Sequence, residues 1–207
     1  MTSTILDGSY DLQNFLWDLQ SRGMSPQGVD AMEGYIRSCW DKGVDVVLDP
    51  GLDGAYGTYD LDSNTLTLGG AALDCNVQMI ETMEHEFIHV LQDEMAGIWN
   101  SDAETLGLPI TPYAEASVAN GYSHLDLDTQ ALELEAFSGE QMLDAGRYEK
   151  EVDRIYKNLP LALCLSSELP NANSHRAMNV IDTPVLITRG KDKGEGLSEG
   201  RLPVAVE

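Results

Sequence analysis

Residues 85–92 read HEFIHVLQ, and they sit inside the most strongly patterned helical stretch of the chain, residues 74–96. Apolar Met79, Ile80, Met83, Phe87, Val90 and Leu91 recur at helical spacing and form one arc for a core. At about 100° per residue, His85 and His89 fall about 40° apart and off that arc. Two imidazoles so placed can reach one metal ion at about 2.0–2.1 Å. Glu86 lies about 100° round from His85, too far for a third ligand but well placed to reach a water beside the metal. Asp74 or Asn76 can cap this helix and Gly97 can end it. The helix therefore packs by one side and presents His85, His89 and Gln92 on the other.

A zinc site that keeps a position open takes three protein ligands. The arrangement HExxHxxGxxH would supply the third nearby, but Gln92 and Met95 occupy the positions it needs. Another helix must supply it. The candidate is LELEAF, Leu132 to Phe137, in a helix expected over about 126–144. Glu133 and Glu135 point about 200° apart, so only one of them can face the metal. Glu135 shares its face with Ala131, Gly139 and Met142, which read as buried. Glu133 shares its face with Thr129, Gln130 and Glu140, which read as wetter. Both glutamates remain candidates on this ground.

Elsewhere the pattern is mixed. Residues 9–22 and 26–42 read as amphipathic helices, the second opened by Ser25-Pro26 and stopped by Gly43. VDVVL (44–48) reads as a strand. Tyr56 to Leu61 and Thr65 to Leu68 read as a hairpin turning at Asp62-Ser63-Asn64. Three short strands make a small sheet, so the expected class is α+β and mostly helical. A short helix is expected near 112–119 and another over about 147–157. Beyond about residue 188 the chain reads as a weakly structured or disordered tail, 189–207. One domain over 1–188 is expected, with N-terminal helices over 9–42 and a core over about 44–145.

HEFIHVLQ followed by an ELEA-type helix resembles the gluzincin branch of the zincin metallopeptidases, in particular the small single-domain minigluzincin type. The resemblance covers roughly residues 44–145. GTYDLDSNTLTLGG is similar to the strands that lie on that family's substrate side. The resemblance implies a zincin-like fold, one Zn2+ per chain and zinc-dependent hydrolysis of a peptide or protein substrate. It implies His85 and His89 as zinc ligands and Glu86 as general base. The family's glutamate helix reads ExxA followed by Asp or Asn. Glu133-Leu134-Glu135-Ala136 matches through Ala136 and selects Glu133 as third ligand. Phe137 stands where the family has its partner for a zinc-bound histidine. Gluzincins often stabilise the oxyanion with a downstream Tyr or His, and Tyr113, Tyr122 and His124 are available. NGYSHLD places the last two just before the glutamate helix.

Charge narrows the remaining classes. Against 12 Lys+Arg stand 35 Asp+Glu, a formal net charge of −23. That disfavours binding to nucleic acid or to anionic membranes, both of which need a cationic surface. The start, MTSTILDGSYD, lacks the basic and apolar regions of a signal peptide, and no run approaches a membrane span of roughly 18 apolar residues. A cytoplasmic protein is expected. Cys39, Cys75 and Cys164 are odd in number and far apart, which fits reduced, buried thiols. Glu86 and His89 also spell the ExxH of a di-iron bundle. The second ExxH is missing, because Gly121 and Ala172 stand three residues before His124 and His175. His175 has no partner in sequence. A metal-free relative that only binds a peptide or protein is the other reading, but it has no need of Glu86.

Overall fold

The structure, a computed structural model, describes residues 2–97 and 102–143. In chain order it runs β1 (Thr4–Leu6), α1 (Ser9–Ser21), α2 (Pro26–Asp41), β2 (Asp45–Asp49), β3 (Gly57–Asp60) and β4 (Thr65–Gly69). It continues through a short α3 (Gly70–Leu73), then α4 (Asn76–Ala96), α5 (Pro112–Gly121) and α6 (Leu127–Met142). The class is mixed α+β, as expected. The sheet has four strands in the order β1-β2-β4-β3, where the sequence pointed to three. The missed strand is β1. It is three residues long and buries only Leu6, so it offers no alternation to read. Its identity comes from pairing, with Thr4 opposite Leu48 and Leu6 opposite Val46.

The chain leaves β2, passes to the far edge as β3, and returns as β4 between them. β4 therefore runs parallel to β2 and antiparallel to β3. The expected turn residues carry that reversal, with Asn64 in the left-handed region at φ 49°. Val46, Leu66, Leu68 and Tyr59 alternate onto one face of the sheet and are buried there. Leu12 and Leu19 of α1, Met32 and Ile36 of α2, and Met79, Ile80, Met83 and Val90 of α4 close the core over them. Each such side chain contributes about 1.5–3 kcal/mol on burial. Ser25 caps α2 by accepting from the Gly28 N–H at 3.0 Å, behind Pro26.

The start of α4 differs from expectation. Its N-cap is Cys75, with no side-chain cap bond. Asp74 instead ends α3, and the Asn76 side chain bonds the Arg22 carbonyl at 3.4 Å. Cys39 is a buried free thiol, but Cys75 is disulfide-bonded, so the expectation of three reduced cysteines is not carried forward. The helix expected over 147–157, the tail beyond 188 and His175 lie outside the described residues. No helix among the described residues is long and apolar enough to cross a membrane.

The face of α4 opposite the core is covered as well. α6 packs along it, and α5 packs on α6 around a second apolar cluster of Ala114, Val118, Tyr122 and Phe137. Gly139 sets how closely α6 approaches. A Cβ there would stand 2.5 Å from Ile88 Cδ1 and Cγ1. Gly139→Val is expected to wedge α4 and α6 apart and cost about 1–3 kcal/mol, the usual range for overpacking. Urea unfolding monitored by circular dichroism reads this as a lowered midpoint.

Candidate metal centre

Two helices meet with their charged residues facing each other. α4 brings His85, Glu86 and His89, and α6 brings Glu133, Glu135 and Glu140. All six are buried, and Glu133 is at 0 % exposure. The wetter face expected for Glu133 is therefore not found. Thr129 and Gln130 are half-buried and Glu140 is buried, because that face of α6 lies against α4. A helical wheel groups residues by face but does not say which faces a neighbour covers.

Glu133 reaches both histidines. His85 Nε2 lies 3.3 Å from Glu133 Oε2, and His89 Nε2 lies 3.7 Å from Glu133 Oε1. These separations are those of ligands around a tetrahedral centre, which stand about 3.3 Å apart at zinc–ligand lengths. They do not have hydrogen-bond geometry. His85 Nε2, His89 Nε2 and both Glu133 oxygens are buried with no hydrogen-bond partner. Buried polar atoms are rarely left unpaired. Here four converge, with one ligand atom from each of the three residues within 4.8 Å of the others. This group could hold a metal ion.

Glu135 is engaged elsewhere. Its two oxygens accept from the backbone N–H groups of Leu106 (2.6 Å), Gly107 (2.6 Å) and Leu108 (2.9 Å), and from Gln92 Nε2 (3.2 Å). It anchors the chain between α4 and α5.

Each histidine is held by its other nitrogen. His85 Nδ1 lies 3.3 Å from Glu140 Oε2, and His89 Nδ1 lies 2.8 Å from Gln92 Oε1. Such partners orient a ligating imidazole and raise its basicity. The Phe137 ring packs against the His85 ring at 4.5 Å between centroids. A carboxylate reaches His85 from Glu140 instead, two helical turns beyond Glu133 on the same face. Glu140 shares that face in the sequence pattern, but nothing local assigns it a role. The spacing of seven from Glu133 was the signal that could have found it.

The electrostatics follow from this enclosure. For His85, burial disfavours the cation, but the Glu133 and Glu140 carboxylates outweigh it and hold the imidazole up at about 10. Burial pulls His89 down to about 4, against the opposing pull of Glu133. Burial pushes the Glu86 carboxyl up to about 8. His85 opposes that rise, and Glu133 and Glu140 add to it. A proton on His85 and a divalent cation answer the same cluster of negative charge. Both Glu86 oxygens are buried and unpartnered. The edge strand passes close by, since a Cβ on Gly57 would lie 2.5 Å from Thr82 Cγ2 and 3.0 Å from Glu86 Cγ.

The aromatic and histidine candidates separate in space. Tyr122 is buried in the α5–α6 cluster, its ring 5.6 Å from that of Phe137. His124 is exposed. Tyr113 is half-buried and 6.2 Å from Phe137. Its hydroxyl is pushed above the ordinary tyrosine range, by burial first and then by the Glu140 and Glu81 carboxylates. Comparison with protein-family models, curated proteins and solved structures gives no match, so the residues themselves carry the functional reading.

Proposed function

We propose that this chain is a zinc-dependent metallopeptidase of gluzincin type, with a zincin-like fold, that hydrolyses a peptide bond in a peptide or protein substrate. His85, His89 and Glu133 are the metal ligands and Glu86 is the general base. The observation that supports this best is the convergence of buried, unpartnered ligand atoms on one point, with Glu86 beside them. Two imidazoles and one carboxylate form a set that suits zinc. When bound, zinc lowers the pKa of a water towards about 7 and polarises the scissile carbonyl.

The chain's own residues do the rest. Glu86 accepts the proton of the attacking water and passes it to the leaving amine. Glu140 and Gln92 hold the two imidazoles by Nδ1, which would leave each Nε2 to hold the metal. The developing oxyanion needs a donor besides the metal. Of Tyr113, Tyr122 and His124, Tyr113 is tied to the site through Phe137 and Glu140 and is the one to test first.

Protein purified without chelators is expected to hold close to one zinc per chain. Elemental analysis by mass spectrometry checks this. A zinc content near zero in carefully handled native protein overturns the metallopeptidase reading.

A further inference from the structure

We infer that Glu135 is a positioning residue for the metal centre. Through Gln92 it holds His89 in the tautomer that leaves Nε2 free, and it ties the chain at 106–108 to that state. The inference rests on the reading of His89 as a metal ligand. The two ends of the Gln92 amide are not equivalent. Its nitrogen donates to the Leu132 carbonyl at 3.1 Å and to Glu135 Oε2 at 3.2 Å. A carbonyl oxygen can only accept. Each Glu135 oxygen already accepts from the backbone as well, Oε2 from Leu106 and Oε1 from Gly107 and Leu108. Two acceptors side by side require the NH₂ end of Gln92.

The Gln92 oxygen must then face His89 Nδ1, and it does, at 2.8 Å. An oxygen there needs a hydrogen on Nδ1. A neutral imidazole carries only one, so Nε2 keeps its lone pair towards Glu133. Were the amide reversed, its NH₂ group would require a bare Nδ1. The proton would then sit on Nε2, where a metal has to bind. Glu135 and the Leu132 carbonyl together block that reversal.

The same carboxylate holds the chain after α4. Three consecutive backbone N–H groups converge on it, and Gly107 reaches this shape at φ 78°, where other residues are strained. The Glu104 N–H also bonds the Gln92 carbonyl at 3.0 Å. Gln92 is thus joined to this segment by its backbone and, through Glu135, by its side chain. If the segment at 106–108 favours the metal-ready tautomer, metal binding must favour the segment's ordered form to the same extent.

The test has three parts. In metal-free protein, nitrogen-15 NMR of the imidazoles is expected to show His89 protonated at Nδ1, and a proton on Nε2 overturns the inference. In chelator competition, E135Q is expected to weaken zinc binding about 10–100-fold, because the Gln side chain can donate as well as accept and leaves the Leu132 carbonyl alone to hold the Gln92 amide. Q92L should lose a similar factor, and E135Q should lose nothing more when added to Q92L. Equal losses from E135Q in both backgrounds would mean that Glu135 acts by some other route, and the inference falls. If E135Q does not fold, amide exchange decides. Zinc should slow exchange at 106–108 in the unaltered protein, and Q92L should diminish that slowing. Exchange that ignores zinc overturns the coupling. A protein that binds no metal sinks the metallopeptidase reading, while the NMR result still decides the tautomer.

Discussion

Glu133→Gln is expected to fold and to come off purification without zinc. The substitution keeps the shape of the side chain and replaces an anionic oxygen with a neutral amide. That carboxylate is wholly buried and reaches both histidines, so nothing nearby can take its place. Glu135 is bound to the backbone at 106–108, and Glu140 is turned to the far nitrogen of His85. Zinc affinity should fall by more than the roughly 10–100-fold seen when a supporting residue is lost. Two contributions oppose each other in the apoprotein: a buried carboxylate without a hydrogen-bond partner is relieved, and the ion pair with a protonated His85 is lost. Chelator competition and thermal unfolding of the metal-free protein measure metal affinity and stability separately. Glu135→Gln should show the opposite balance. It weakens the acceptor for three part-buried N–H groups and should cost about 1–3 kcal/mol of stability, with a smaller loss of metal. If Glu135→Gln empties the site and Glu133→Gln keeps it filled, the ligand assignment is reversed.

The contrast between these two glutamates marks what was legible in the sequence. The spacing of His85 and His89, the α4 pattern and the Asp62-Ser63-Asn64 reversal are local, and local periodicity shows them. The relation between Glu133 and Glu135 is also local as far as their divergence. Which of them meets α4 is a tertiary fact. It depends on α6 packing at Gly139 against Ile88, two positions far apart in the chain. Thr129, Gln130 and Glu140 looked wet because nothing in their own helix says that α4 will cover them. Glu140 was hidden for a related reason. Its partner His85 lies 55 residues away, and the position expected to supply that partner holds Phe137. The strand Thr4–Leu6 was illegible because three residues carry no period, and only β2 makes them a strand. The Cys75 disulfide is not legible because cysteine spacing alone does not say which thiols meet.

Glu86→Gln separates chemistry from structure, and it is expected to abolish peptide-bond hydrolysis while the protein keeps its zinc. Glu86 stands on α4 one residue after His85 and points about 100° round the helix, so it is beside the ligand set and outside it. Neither of its buried oxygens has a hydrogen-bond partner, so both are unengaged towards a water admitted beside them. Gln fills the same space beside Gly57, and so should not disturb packing. It can still hydrogen-bond, but it cannot take a proton at working pH. The rate should fall by at least the roughly 10²–10⁴-fold attributed to general acid–base catalysis. Zinc content and peptide affinity should stay near those of the unaltered protein. A peptide library supplies the substrate, found first with the unaltered protein and then offered to the variant at equal zinc loading. Glu86→Gln protein that cleaves as fast as the unaltered protein, with zinc in place, would remove Glu86 from the mechanism and leave the metal ligands standing.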